Sequence, residues 1–371
     1  MTAQLDLFAT GSTDFDAVEL VAQQDFVILN LSGGKDGLRA AVKAREAARQ
    51  AGVEDRLWTV HASLGPMEWP ACTVDGVRYP SVGELAAAHS RLLGVPPGRH
   101  LELRRHRDAV PYDLLTFIAE RGDWPWLGRA RFCTGDWKTK LIFGAFSQAA
   151  RDFKKANGRP ARMLNVLGLR ADESPDRRKR PVLQRTTDNS HRIVDEWLPA
   201  HGDSTAFVKE WSDAEGWPHH WAYDSAPGAG DWAGSTRCSC SACVFSSRRD
   251  LLLAVARRPR LAALYAEVEH ARGIPFNPST TIVSVIEEAR RPGAPGPGVV
   301  LDDDNADFDA LTKAVRAALT QPPKRKPRPH QGPGTLPMLG AGCDGCSLSG
   351  DTVFGQKPDG VIREQQEGSP A

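Results

Sequence analysis

The segment Phe26-Val-Ile-Leu-Asn-Leu-Ser-Gly-Gly-Lys-Asp-Gly37 constrains the fold of this chain more than any other part. Residues 26–31 are apolar, few in number and followed by a glycine pair, which predicts a buried parallel strand. From residue 36 onward the chain is rich in Ala, Arg and Glu, with apolar positions at helical spacing, which predicts a helix. A strand, a tight glycine turn and a helix in this order are typical of an α/β fold.

The turn between this strand and helix, residues 32–37, is called the glycine loop below. Paired glycines let a backbone approach a ligand closely and adopt positive φ. The first turn of a helix offers unpaired N–H groups and the positive end of its dipole to an anion. The simpler interpretation is a connection that binds nothing. We predict a phosphate site made of Ser32, Gly33, Gly34, Lys35, Asp36 and Gly37.

Strands and helices alternate up to about residue 200. Further strands are predicted at residues 57–61, 100–103 and 163–169, with helices at 81–93 and 112–121. Residues 193–223 form a less regular stretch, and two helices are expected at about 249–272 and 280–290. This alternation predicts an α/β class with a Rossmann-like parallel sheet of about five strands and helices on both faces. A small α-helical segment that carries cysteines follows it.

A second group of candidate side chains follows the strand predicted at 163–169. Ligands of open α/β sheets bind at the carboxyl ends of the strands. The arginine guanidinium has a fixed fork of donors that suits phosphate or sulfate. A plain alternative is that the basic run at 177–180 is only a solvated surface. The candidates are Gly168, Arg170, Glu173, Ser174 and Arg177.

These two motifs together resemble a known group of enzymes. Ser-Gly-Gly-Lys-Asp after a first strand resembles the PP-loop of the adenine-nucleotide α-hydrolase superfamily, which includes N-type ATP pyrophosphatases, tRNA thiolation enzymes and sulfonucleotide (PAPS) reductases. The second motif is similar to the Gly-x-Arg-x-x-Glu-Ser…Arg pattern of PAPS reductases and DndC-like proteins of DNA phosphorothioation. Gly37 and Ser63 depart from the residues usual in these families.

The resemblance implies a nucleotide substrate and roles for particular residues. ATP or PAPS is the expected nucleotide, and Mg²⁺ is a further expected cofactor that would bind its phosphates. His61, at the end of the second strand, is expected to join the nucleotide site. Lys35 and Arg170 are the expected catalytic cations.

Seven cysteines in this chain argue for metal or redox chemistry rather than a disulfide framework. Three thiols lie close together in Cys238-x-Cys240-x-x-Cys243, and such thiolates repel one another unless a metal neutralises them. Four thiolates suit a [4Fe–4S] cluster or Zn²⁺; the alternative is unliganded core thiols. Cys133 lies in a segment that resembles the one supplying a cluster cysteine in these families. The resemblance favours iron–sulfur over zinc.

Two further motifs lie near the ends of the sequence. Cys343-x-x-Cys346 has the spacing of a redox-active dithiol or half a metal site. Sulfonucleotide reductases carry a nucleophilic cysteine on such a tail, usually in Glu-Cys-Gly-Leu/Ile-His, which is absent here, so an inert tail is an equal alternative. Gln4-Leu5-Asp6-Leu7-Phe8 is similar to peptides that dock on bacterial sliding clamps. The alternative is a tail that packs its apolar side chains on the core.

Charge and hydropathy exclude few functions. Lys and Arg number 47 against 46 Asp and Glu, so net charge does not indicate a polyanionic partner. No apolar run approaches the roughly 18 residues of a membrane span, and the chain shows no signal peptide, so we expect a cytoplasmic protein without a membrane partner. Four parts are expected: an arm at 1–24, a nucleotide-binding domain at 25–200, a cysteine-cluster region at 201–290, and a linker, short helix and tail at 291–371.

Three functions fit this sequence. In the first, an acceptor attacks the α-phosphate of ATP, pyrophosphate leaves, and a sulfur donor protein supplies sulfur to the adenylated acceptor. In the second, a tail thiol attacks the sulfur of APS or PAPS, sulfite leaves, and a thioredoxin-like reductant restores the thiol. In the third, the chain is a non-catalytic, metal-bearing module that binds nucleic acid through the basic residues 324–328. The first is preferred.

Overall fold

The computed structural model describes residues 15–125 and 131–324. The strands are β1 (Phe26–Asn30), β2 (Leu57–Ala62), β3 (Cys72–Val74), β4 (Val77–Tyr79), β5 (His100–Leu103), β6 (His106–Arg107), β7 (Val110–Pro111), β8 (Ala161–Val166), β9 (Leu183–Asp188) and β10 (Arg192–Trp197). The helices are α1 (Ala17–Ala22), α2 (Lys35–Gln50), α3 (Val82–Leu92), α4 (Leu114–Arg121), α5 (Phe132–Thr134), α6 (Lys140–Asn157), α7 (Pro175–Arg178), α8 (Thr205–Ala214), α9 (Arg248–Arg257), α10 (Pro259–Arg272), α11 (Ile282–Ala289) and α12 (Ala306–Leu319).

The central sheet has six strands in the order β5-β2-β1-β8-β10-β9. The first five run parallel, and β9 pairs antiparallel with β10 at the edge. The predicted Rossmann-like α/β class is therefore confirmed. The order reverses at β1, so the carboxyl ends of β1 and β8 border the crevice in which open α/β sheets bind ligands.

The prediction of a less regular stretch after residue 193 was wrong at its start. β10 is a regular strand, and Asp195 and Glu196 are buried in it. Asp195 accepts a hydrogen bond from Arg185 at 3.0 Å, and Glu196 is paired with Arg180 and Gln184. A hydrophobicity pattern did not indicate this strand because two of its buried residues are carboxylates, which are paired with side chains of the neighbouring segment.

Both faces of the sheet are covered by helices. The alanine-rich face of α2 packs on β1 and β8, where its small side chains allow close approach. On the other face, α6 packs Leu141, Phe146 and Ala150 against β1, β2, β8 and β10. In the helix predicted at 249–272, the chain breaks at Arg258, and Pro259 starts α10 because proline fits the first helical position.

A second core joins the cysteine-bearing region to the rest. It contains Trp69, Trp124 and Trp221 together with residues of α4, α9, α10, α11 and α12. None of the helices in the described ranges combines the length and the apolar character that crossing a bilayer requires.

Candidate functional site

The glycine loop presents an open helix start at the carboxyl edge of the sheet. Gly33 has a φ of +66°, and a Cβ there would lie 2.8 Å from the carbonyl oxygen of Val82, so glycine is required. Gly34 is the N-cap of α2, and no side chain described by the structure caps that helix. The N–H groups of the first turn are thus left to backbone or ligand acceptors, which is the arrangement that binds anions.

Gly168 brings the end of β8 onto the glycine loop. A Cβ at this position would overlap the backbone of Asp36 and Gly37 more closely than real Cβ contacts allow. The two sequence motifs are therefore in direct contact, as their common place at the sheet edge predicts.

Arg170 is fixed beside the loop. Its side chain is buried, and its Nε donates to Asp36 Oδ1 at 2.8 Å while Nη1 donates to Asp172 Oδ1 at 2.5 Å. Burial opposes its charge, but the Asp36 and Asp172 carboxylates outweigh that effect and raise the pKa of Arg170. Arg170 is a permanent cation within reach of an anion on the loop.

The other residues of the second motif support Arg170 locally. Glu173 accepts a hydrogen bond from the Arg170 N–H at 3.0 Å and forms an ion pair with Arg177. Ser174 caps α7 by accepting from the Arg177 N–H at 3.2 Å. Arg177 remains partly exposed and adds a further cation near this edge.

Lys35 lies at the start of α2 with its side chain buried. Its Nζ is 3.3 Å from Asp36 Oδ2 and 5.1 Å from the centroid of the Tyr223 ring. The glycine loop thus has two buried cations, Lys35 and Arg170, that share the carboxylate of Asp36.

His61, predicted to contact the nucleotide, has both ring nitrogens engaged inside the protein. Nδ1 donates to the Leu31 carbonyl at 3.0 Å, and Nε2 lies 3.0 Å from Glu68 Oε2. Burial lowers the pKa of His61, but Glu68 outweighs this and raises it; burial raises the pKa of Glu68, but His61 and Lys138 hold it below its usual value. Both directions favour an ionic pair, which holds His61 against the end of the strand before the loop.

The same pair extends to the cysteines. Glu68 Oε1 accepts from the Ser239 hydroxyl at 3.0 Å, and Lys138 Nζ donates to that hydroxyl at 3.0 Å. Ser239 lies between two of the predicted metal ligands. A buried chain of charged and polar groups thus connects the glycine loop with the segment 238–243, which we call the cysteine loop.

The cysteine loop is pinned by backbone hydrogen bonds. Residues 239–241 run antiparallel to residues 67–69, with two N–H···O distances of 3.0 Å and a bridge between Glu68 and Cys240. The loop position is therefore set by the segment that follows β2.

Three of the four predicted metal ligands, Cys133, Cys238 and Cys240, pack against the second core. Burial and the nearby Cys243 raise the pKa of Cys133, and the same two causes raise that of Cys240. Burial raises the pKa of Cys238 to about 12, and its charged neighbours include Glu68. All four are free thiols. In residues 15–125 and 131–324, however, no three His, Cys, Asp or Glu side chains converge closely enough to hold one metal ion.

Sequence reasoning missed Glu68 as a site residue, and it considered Tyr223 without including it in the predicted nucleotide site. The Tyr223 phenol lies against the glycine loop, where its oxygen would be 3.3 Å from a Cβ at Gly34. Its position in the aromatic stretch Trp-Pro-His-His-Trp-Ala-Tyr was the available signal.

A cavity of about 350 Å³ opens at the same edge of the sheet. It lies between the ends of β2 and β5 and the first turns of α3 and α12. Its lining includes Ser63, Glu68, Glu102, Arg104 and Asp307. Glu68 thus connects this cavity with the ion pair beneath the glycine loop.

Two predicted motifs lie outside the described residues. These are Cys343-x-x-Cys346 and the segment from Gln4 to Phe8. Of the basic segment 324–328, only Lys324 is described, and its Nζ is 2.6 Å from Glu120 Oε2.

Comparisons with known proteins give distant likenesses. No family model matches this chain, and no curated protein matches it. Phosphoadenylyl-sulfate (PAPS) reductase from Candida auris, in complex with phosphate, is 14% identical with a TM-score of 0.28 over 56% of this chain and 83% of that one. FMN adenylyltransferase from Candida glabrata, in complex with FAD and pyrophosphate, is 11% identical with a TM-score of 0.27 over 59% of this chain and 62% of that one.

The same adenylyltransferase in complex with FMN and AMPCPP is 12% identical, with a TM-score of 0.28, over 56% of this chain and 59% of that one. The chain therefore spans about three fifths of these adenylyltransferases.

Proposed function

We propose that this protein is a PP-loop enzyme that binds ATP, directs attack of an acceptor on the α-phosphate and releases pyrophosphate in a sulfur transfer. One observation supports this most: an uncapped helix start at the crevice of a parallel sheet, with buried Lys35 and Arg170 beside it. Such a site suits a polyphosphate that develops charge on its leaving group.

Each cation has a distinct part in this reaction. Lys35, as a compact charge at the loop, neutralises the phosphates on binding. Arg170, oriented by Asp36, offers its remaining N–H groups to the departing pyrophosphate. The acceptor oxygen forms a bond to the α-phosphorus as the bridging oxygen leaves with the pyrophosphate. A sulfur nucleophile from a donor protein then displaces AMP from the acceptor.

We further propose that Cys133, Cys238, Cys240 and Cys243 hold a [4Fe–4S] cluster, with Zn²⁺ as the alternative. The support is a donor set of four free, half-buried thiols, in which Cys243 contributes to raising the pKa of both Cys133 and Cys240. A cluster is wider than a single ion, so it tolerates thiols that do not converge on one point. When bound, it would neutralise the thiolates and supply a site for sulfur or electrons.

Product analysis under anaerobic conditions tests the proposed function. The protein is incubated separately with ATP, PAPS and APS, and pyrophosphate and sulfite are measured. We expect the wild type to release pyrophosphate from ATP and Lys35→Ala to lose this activity. Lys155→Ala should keep full activity, because the Lys155 side chain is exposed on α6. Sulfite from a sulfonucleotide would identify a reductase instead. Absence of turnover and of nucleotide binding would leave the nucleic-acid-binding module.

A further inference from the structure

Tyr223 reaches the first turn of α2 from a distant part of the chain. It ends the short helical turn Trp221–Tyr223, and its side chain is buried. Its phenolic oxygen would lie 3.3 Å from a Cβ at Gly34, the N-cap residue of α2. The Lys35 ammonium lies 5.1 Å from the ring centroid. The hydroxyl is therefore at the place where an anion on the glycine loop would bind.

The phenolic hydrogen has no acceptor among the residues that the structure describes. A phenol carries one O–H donor, and here that donor is free to bind a ligand. Burial raises the pKa of Tyr223 well above its ordinary value, so the group stays a neutral donor. The rest of the residue is buried, with only 3% of its surface exposed, so this hydroxyl is held in place beside the anion site and is available to a ligand there.

The backbone around Tyr223 is held rigidly. The buried guanidinium of Arg257 donates to the carbonyls of Ala222, Asp224 and Ser225 at 3.1, 2.7 and 2.8 Å. The Tyr223 carbonyl itself accepts from the Gly234 N–H at 2.6 Å. The phenol is thus presented by a fixed segment, which preorganises it for a ligand.

We propose that Tyr223 is a phosphate-binding residue that donates its phenolic hydrogen to a phosphate oxygen of the nucleotide on the glycine loop. Within the loop only Ser32 carries a hydroxyl, and Gly37 at its end has no side chain. A hydroxyl from outside the loop thus completes the donor set around the anion. This inference deepens the proposed function and rests on it.

The test compares Tyr223→Phe with the wild type by calorimetric titration of ATP, inorganic pyrophosphate and adenosine. Loss of a hydrogen bond to a charged group weakens binding about 10- to 100-fold, so we expect that loss for ATP and pyrophosphate. Adenosine, which has no phosphate, should bind equally to both proteins. Because the hydroxyl has no acceptor, its removal should leave the melting temperature unchanged or slightly higher.

Tyr112→Phe is the matched control. It removes a hydroxyl that donates to Glu120 at 2.9 Å and packs against Trp137 instead of the glycine loop. All three ligands should bind to this variant as to the wild type.

Each other outcome is informative. If Tyr223→Phe binds ATP as the wild type does, the inference is wrong and the proposed function stands. Equal weakening for ATP and adenosine would show a general structural role and also overturn it. If the wild type binds pyrophosphate but not ATP, and only pyrophosphate binding weakens, the phosphate contact stands and the proposed function fails. Wild-type protein that binds neither anion contradicts both.

Discussion

Replacing Gly168 by alanine tests the contact between the two motifs. The added Cβ would overlap the backbone of Asp36 and Gly37, which is main chain and has no flexible end to move aside. The end of β8 and the start of α2 must therefore separate, by about 1 Å if the Cβ is to reach ordinary contact distance. Overpacking of this kind costs about 1–3 kcal/mol of unfolding free energy.

The shift should affect function more than stability. A misplacement of about 1 Å at a reacting site costs on the order of 100-fold in rate. We therefore expect Gly168→Ala to melt at a lower temperature and to lose ATP turnover by about that factor, as measured by thermal unfolding and pyrophosphate release.

Gly144→Ala is the matched control for this change. Gly144 is exposed within α6, and a Cβ there would meet nothing within 4 Å. Alanine should stabilise that helix by up to about 1 kcal/mol and leave turnover unchanged. The reasoning is refuted if Gly168→Ala matches Gly144→Ala in both stability and activity.

Three further changes test other parts of the structure. Arg170→Lys keeps the charge but loses the fork that reaches Asp36, so kcat should fall about 100-fold or more; near-normal kcat would show that the fork is not used. His89, whose Nε2 donates to the Pro218 carbonyl at 2.7 Å, has its pKa lowered by burial to about 4. Its neutral form stabilises the fold fully above pH 6.5, and this contribution is lost as pH falls towards 4. A pKa shift of one unit corresponds to about 1.4 kcal/mol, so between pH 7 and pH 4 the unfolding free energy of the wild type should fall by about 3 kcal/mol more than that of His89→Gln. Urea titrations at the two pH values measure this difference, and equal losses in the two proteins would contradict the prediction. Cys243→Ser should lose the iron, the sulfide and the brown colour of an anaerobic preparation; a colourless wild type with stoichiometric zinc would overturn the cluster assignment.

The glycine loop and the first strands could be predicted because their signals are local. Glycines mark the turn, and β1, β2 and β5 are short runs whose apolar side chains enter the core. β10 could not be predicted in this way, since its buried carboxylates have partners that only the folded sheet provides.

The detailed arrangement of the candidate site depends on contacts between distant residues. The pattern at residue 61 gave no sign of Glu68, whose charge fixes the imidazole inside the protein. Nothing near residue 35 indicated that a phenol from position 223 would lie against the glycine loop. Sequence patterns identify which residues carry chemistry, whereas the fold decides which of them meet.

Equilibrium binding of ATP tests the central claim most directly, since it needs no knowledge of the acceptor. The wild type, Lys35→Ala and Lys155→Ala are titrated with ATP in the same buffer. We predict saturable binding by the wild type and by Lys155→Ala, with strongly reduced affinity in Lys35→Ala. The account is contradicted if the wild type does not bind ATP, or if Lys35→Ala binds it equally well.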